Sequence, residues 1–193
     1  MFKNPVVDFS RVLFIDNPYP TGGEWRHQAR HRDGMMAVAG GRLVVLEGLH
    51  PRGKITQLAP AEGEQASFWR PDLSFDGNSV LFCMKPDGDS SFHLYEINVD
   101  GSGLRQLTDG PYDDMMAVYL PDGGIVFCST RRKGYSRCFG PEYSCRWHTY
   151  TLHRMDADGD HIRTLSYNDV SEWFPAVSNT GHVLHARWDY IDR

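Results

Sequence analysis

The chain has 193 residues, of which 40% are hydrophobic and 12% aromatic, and a formal charge of −5; this is the composition of a folded domain with one core or two small ones. So mild an acidic balance names no partner and argues against nucleic acid, and no apolar run approaches the ~20 residues of a membrane span. The N-terminal stretch MFKNPVVDFS lacks the long apolar segment of a signal peptide and reads as the interior of a longer protein.

Helical periodicity is nearly absent. Short apolar or alternating runs are separated by clusters of Gly, Asp, Asn and Pro, which is the pattern of an all-β chain. In chain order, FSRVLFI (9–15) is a strand, and LVVLEGLHPRGKITQLA (43–59) is two strands joined by a long turn. PDLSFDGNSVLFC (71–83), AVYLPDGGIVFC (117–128) and PAVSNTGHVLHA (175–186) are three versions of one strand–turn–strand unit. LYEINVDGSGLRQLT (94–108) and LHRMDADGDHIRTLS (152–166) are two versions of a second. Their Asn/Asp-x-Asp-Gly turns have hairpin chemistry, since Asp and Asn bond their own backbone and Gly accepts positive φ.

Equivalent glycines at 77, 123 and 181 set a period of roughly 40–50 residues. A four-stranded repeat of that length predicts antiparallel β-propeller blades. With strands labelled A to D from the axis outward, the expectation is a single propeller segment over 1–193, about three to four blades of an incomplete arc. Blade one (9–58) lacks its inner strand, blade two is 66–108, blade three is 114–166, and blade four (171–193) is incomplete. Open sheet edges then point to oligomerisation, or to pairing with the remaining blades of a longer chain.

In such a fold the B–C loops and D–A connections emerge on one face, and loops on a rigid scaffold are where function concentrates. Two tall B–C loops, about 16–42 and 130–148, flank a short one at 85–91. The predicted cleft between them collects His27 and His31 from the first tall loop, and Cys138, Cys145 and His148 from the other. Glu62, Glu64, Trp69, Asp113, Asp114, Glu172 and Trp173 reach it from the D–A connections. His27 and His31 suit a ligand pair only on a helix; a solvated basic loop is the plainer reading. Cys138 and Cys145 are a disulfide, two metal ligands with His148 as a third, or free thiols. Cys83 and Cys128 share one repeat position with Ile15 and Ala186, which makes it a packing slot between blades. Trp69 and Trp173 share another, where packing outranks ligand stacking. No nucleophile elbow, P-loop or dinucleotide fingerprint is present.

LYEINVDGSGLRQLT followed by YLPDGGIVFCSTRR resembles the TolB-like propeller repeats of exported bacterial proteins. The longer order, from RVLFI through WRPDLSFDGNSVLFC to EWFPAVSNTGHVLHARWDYIDR, is similar to the family of propeller domains named for the middle domain of hydrazine synthase alpha subunit. The likeness covers nearly the whole chain. It implies a periplasmic or otherwise extracytoplasmic parent protein, and that compartment favours the Cys138–Cys145 disulfide, pinning the third blade's tall loop. Covalent haem needs CxxCH, which the sequence lacks, so no cofactor is predicted here, and zinc or haem enters only as an alternative in the parent protein. The expected function is a binding or scaffold module, not catalytic by itself, with a ligand or protein partner on the loop face. The alternatives are a segment of a metal- or haem-dependent redox subunit and a hydrolase with paired carboxylates.

Overall fold

A computed structural model describes residues 8–18, 38–134 and 149–188. All thirteen elements are strands, and there is no helix among the described residues. They form four antiparallel sheets with three, four, four and two strands, as the repeats predict. The first joins β1 (Arg11–Asp16), β2 (Arg42–Glu47) and β3 (Lys54–Ala59). The second runs β4 (Ala66–Leu73), β5 (Ser79–Pro86), β6 (His93–Asn98) and β7 (Arg105–Gln106). The third repeats it with β8 (Asp114–Tyr119), β9 (Ile125–Ser129), β10 (Thr151–Met155) and β11 (Arg163–Thr164). The fourth holds β12 (Glu172–Val177) and β13 (Val183–Arg187). The architecture is an arc of β-propeller blades.

Sheets pack face to face, so a middle blade is buried on both sides. β5 shows why its sequence is a continuous apolar run instead of an alternating one. Val80, Phe82 and Met84 enter a core with Leu43, Val45 and Phe68, while Leu81 and Cys83 enter a second core with Met115, Ile125 and Phe127. A single solvated face would have produced the hydrophobic–polar alternation of an ordinary antiparallel strand.

The inner strands share one irregularity. β4, β8 and β12 each bulge after Trp69, Met115 and Trp173. The residue at each bulge, Arg70 (φ 37°), Met116 (φ 58°) or Phe174 (φ 55°), is left-handed without being glycine. Such a conformation costs roughly 1–2 kcal/mol per residue, so the surrounding sheet must over-determine it. Part of the compensation is visible in the second core. The Met116 amide, turned aside by the bulge, donates to Cys83 Sγ at 3.0 Å. Cys83 and Cys128 are both fully buried free thiols, and burial pushes both up, Cys83 to about 12. The packing slot therefore also holds a hydrogen-bond acceptor.

The hairpins follow the turn residues. Gly101 donates its amide to the Asn98 carbonyl (2.9 Å), and Gly159 does the same to Asp156 (3.1 Å). Asp100 and Asp158 each accept a hydrogen bond from the backbone amide two residues on. These Asx turns occupy the side chains of Asp100 and Asp158.

Candidate functional site

Two hydrogen bonds clasp β8, and two clasp β12, to the preceding blade on the loop face. The Asp114 amide donates to the Phe92 carbonyl (2.9 Å), and the Phe92 amide donates to Asp113 Oδ1 (3.0 Å). One blade further on, the Glu172 amide donates to the Tyr150 carbonyl (2.9 Å), with Ser171 Oγ accepting from the Tyr150 amide at 3.4 Å. The D–A connections are thereby fixed where they enter the face.

The predicted carboxylates sit inside these clasps. Asp114 is fully buried. Its Oδ1 accepts from Ser129 Oγ (2.6 Å) and Arg131 Nε (3.0 Å), and its Oδ2 accepts from Arg131 Nη2 (2.7 Å). His93 Nδ1 lies 4.0 Å from Oδ2, an ion-pair distance and not a hydrogen bond. Burial is the largest single influence on this carboxyl and pushes it up, but the His93 ring, the Arg131 guanidinium and the Ser129 hydroxyl together hold it below the usual carboxylate range. Asp113 is buried as well, its amide donating to Thr130 Oγ1 and its Oδ2 accepting from the Tyr150 hydroxyl. Glu172 accepts from the Ser166 hydroxyl, the Asn168 side-chain amide and the Leu152 amide. All three are brought to one face, where they tie blades and loops together.

Trp69 and Trp173 sit in register with Cys83 and Ala186, and both pack against the second core. The Trp69 Nε1 is buried without a hydrogen-bond partner among the described residues, and the Trp173 ring stacks on Trp188 with centroids 6.1 Å apart. Glu62 and Glu64 are exposed and line an open recess of about 670 Å³ with Gly41 and Arg42. His27, His31, Cys138, Cys145 and His148 lie outside the described residues. Among the described residues no group of three His, Cys, Asp or Glu side chains is placed to hold a metal.

The structure adds residues that the sequence reading left aside. Immediately beyond β9, Arg131, Arg132 and Lys133 stack on tyrosines from two D–A connections. Arg131 and Lys133 lie 4.9 and 5.6 Å from the Tyr112 ring centroid, and Arg132 lies 5.0 Å from that of Tyr167. Arg131 Nη2 also donates to the Asp109 carbonyl, and Arg132 Nη1 to the Asn168 carbonyl. Lys133 is left-handed (φ 56°), as is Gly88, which lies the same distance beyond Cys83. The result is a cation–tyrosine ladder with Arg132, Lys133 and Tyr167 exposed. The basic run TRRK in front of a loop was the signal available in the sequence; the tyrosine partners, distant along the chain, were not.

Comparison with known proteins places the chain among β-propellers. No family model matches it. "Uncharacterized protein Atu1656" of Agrobacterium fabrum is 24% identical over 115 residues, covering 60% of this chain and 33% of that protein. Hydrazine synthase of Kuenenia stuttgartiensis superposes with a TM-score of 0.70 at 18% identity, over 91% of this chain and 27% of its own. A protein assigned as TolB from Agrobacterium tumefaciens gives 0.58 at 21% identity, over 77% and 46%. The shared feature is the propeller fold, of which this chain has an arc. The chain thus spans well under two thirds of the length of each of these relatives. No helix among the described residues is long and apolar enough to cross a membrane.

Proposed function

We propose that the chain is a binding and scaffold module within a larger extracytoplasmic propeller protein, and that its loop face recognises an acidic ligand or partner. The extracytoplasmic setting is supported by the likeness to TolB and hydrazine synthase. The observation that carries the binding reading is the cation–tyrosine ladder. Cations over aromatic faces are held in place, and Lys133 occupies a strained backbone conformation without an ion-pair partner among the described residues. Strained backbone persists only where the surroundings hold it, and it clusters at ligand-binding and active sites. Fixed guanidinium and ammonium groups beside exposed rings suit carboxylate-bearing ligands such as acidic oligosaccharides or acidic peptides. In this reading the buried carboxylates of Asp113, Asp114 and Glu172 position the loops and the ladder makes the contact.

The test is calorimetric titration of the full chain with oligogalacturonate, with a neutral oligosaccharide as control. Saturable binding that weakens with salt is expected, and Arg132→Ala and Lys133→Gly should reduce it severalfold. Glycine tolerates the backbone at 133, so the second variant keeps its fold. No binding to the acidic probe, or equal binding by both variants, would overturn the proposal.

A further inference from the structure

The three inner-strand bulges compare one position across blades. Two carry apolar side chains, Met116 and Phe174, and the third carries a guanidinium, Arg70. Arg70 reaches from the second sheet to the fourth. Its Nη2 donates to the Pro175 carbonyl at 2.8 Å, and its Cζ lies 5.5 Å from the Phe174 ring centroid. Its Nη1 is buried and has no hydrogen-bond partner among the described residues. Asp72 is a carboxylate close enough for Arg70 to influence its ionisation, but Asp72 Oδ2 is held by the Tyr119 amide (2.9 Å) and makes no ion pair with Arg70. One terminal nitrogen of the guanidinium is therefore paired and the other is buried without a partner among the described residues. The neighbouring Trp69 is in the same condition, its Nε1 buried and unpartnered.

Both residues line one recess of about 460 Å³, together with Ile15, Asn17, Phe68, Pro71 and Phe174. Leaving a buried donor unsatisfied costs about 1–3 kcal/mol, and more for a charged group. Two residues that carry such unpaired donors border one mainly apolar recess, which is the composition of a ligand site: an apolar wall with a few polar groups that fix orientation. We infer that Arg70 and Trp69 form an axial site for a small organic monocarboxylate. The carboxylate pairs with the buried Nη1 of the guanidinium, the indole N–H gives a further donor, and the apolar body of the ligand lies against Phe68, Pro71 and Phe174. This site is separate from the ladder on the loop face and does not depend on it.

The probe is benzoate, with benzamide as its uncharged isostere, titrated into the full chain and followed by the ¹⁵N–¹H indole signals. Trp69→Phe identifies the Trp69 signal. Benzoate should shift that signal saturably, and benzamide should not. Arg70→Met copies the residue that this fold already accepts at Met116, and it should weaken benzoate at least about tenfold, the loss expected for one charge-assisted hydrogen bond. Arg132→Ala and Lys133→Gly should leave benzoate binding unchanged. Should Arg70→Met not fold, Arg70→Lys keeps the charge but loses the fork and should still weaken binding. The inference is overturned if benzoate leaves the Trp69 signal unmoved, if benzamide binds equally, or if the Arg70 variant that folds binds like the wild type. It is also overturned if a crystal structure shows another strand seated over Arg70 with its carbonyl on Nη1.

Discussion

Replacing Asp114 by alanine would remove the acceptor of three hydrogen bonds, from Ser129 Oγ, Arg131 Nε and Arg131 Nη2. Breaking a buried pair by deleting one partner costs about 3–5 kcal/mol. Arg131 is partly open to solvent, with 19% of its side chain accessible, and keeps the Asp109 carbonyl and the Tyr112 ring. It can turn towards water, which puts the cost near the lower end, about 3 kcal/mol. For a chain of this size that corresponds to a fall in Tm of about 6–12 °C. Urea unfolding at pH 7, read by tryptophan fluorescence, measures the difference directly. The sign of its pH dependence follows from the lowered folded carboxyl. The contribution is present above the unfolded value of about 3.9 and is lost as pH falls through the folded value. The gap between wild type and Asp114→Ala should accordingly narrow below about pH 4. A loss under about 1 kcal/mol at pH 7, or a gap that stays constant down to pH 3, would refute the view that this ion pair anchors the loop face.

Cys83→Ser should destabilise by about 1–2 kcal/mol in the same assay, because a shorter, more polar hydroxyl enters a core position and must still reach the Met116 amide. In the native chain Cys83 and Cys128, both fully buried, should resist alkylation until denaturant is added; rapid labelling of either at neutral pH would contradict the packing described. Gly101→Ala and Gly159→Ala separate backbone strain from collision. Both glycines are left-handed, but a Cβ on Gly101 meets only Leu58 Cδ2 at 3.8 Å, whereas one on Gly159 would lie 2.5 Å from the Leu107 carbonyl oxygen. The first should cost about 1 kcal/mol and the second clearly more, as compared by their urea midpoints. Cys138 and Cys145 should form a disulfide in protein made in an oxidising compartment; intact mass before and after reduction would then differ by two hydrogens, and an unchanged mass would leave the thiol or metal readings.

The sequence by itself determined the strand order and the sheet sizes. Turn chemistry is local: Asn98 to Gly101 and Asp156 to Gly159 close hairpins from their own side chains and backbone, and a repeat of such turns counts blades without any knowledge of packing. It also placed Cys83 and Cys128 in one slot, because equivalent repeat positions meet equivalent neighbours. It did not determine what the polar residues of the loop face would meet. Asp113, Asp114 and Glu172 are predicted to reach the loop face from the D–A connections, but their partners are distant along the chain: Phe92 and Leu152 belong to the preceding blades, and Arg131 follows β9, the strand paired with β8, so blade stacking and strand pairing together set those distances. The same holds for Tyr112 beside Arg131 and Tyr167 beside Arg132. Arg70 shows the limit most clearly. Its position in the repeat is legible, but its left-handed backbone, its hold on Pro175 and its unpartnered Nη1 exist only because inner strands from different blades converge on one axis.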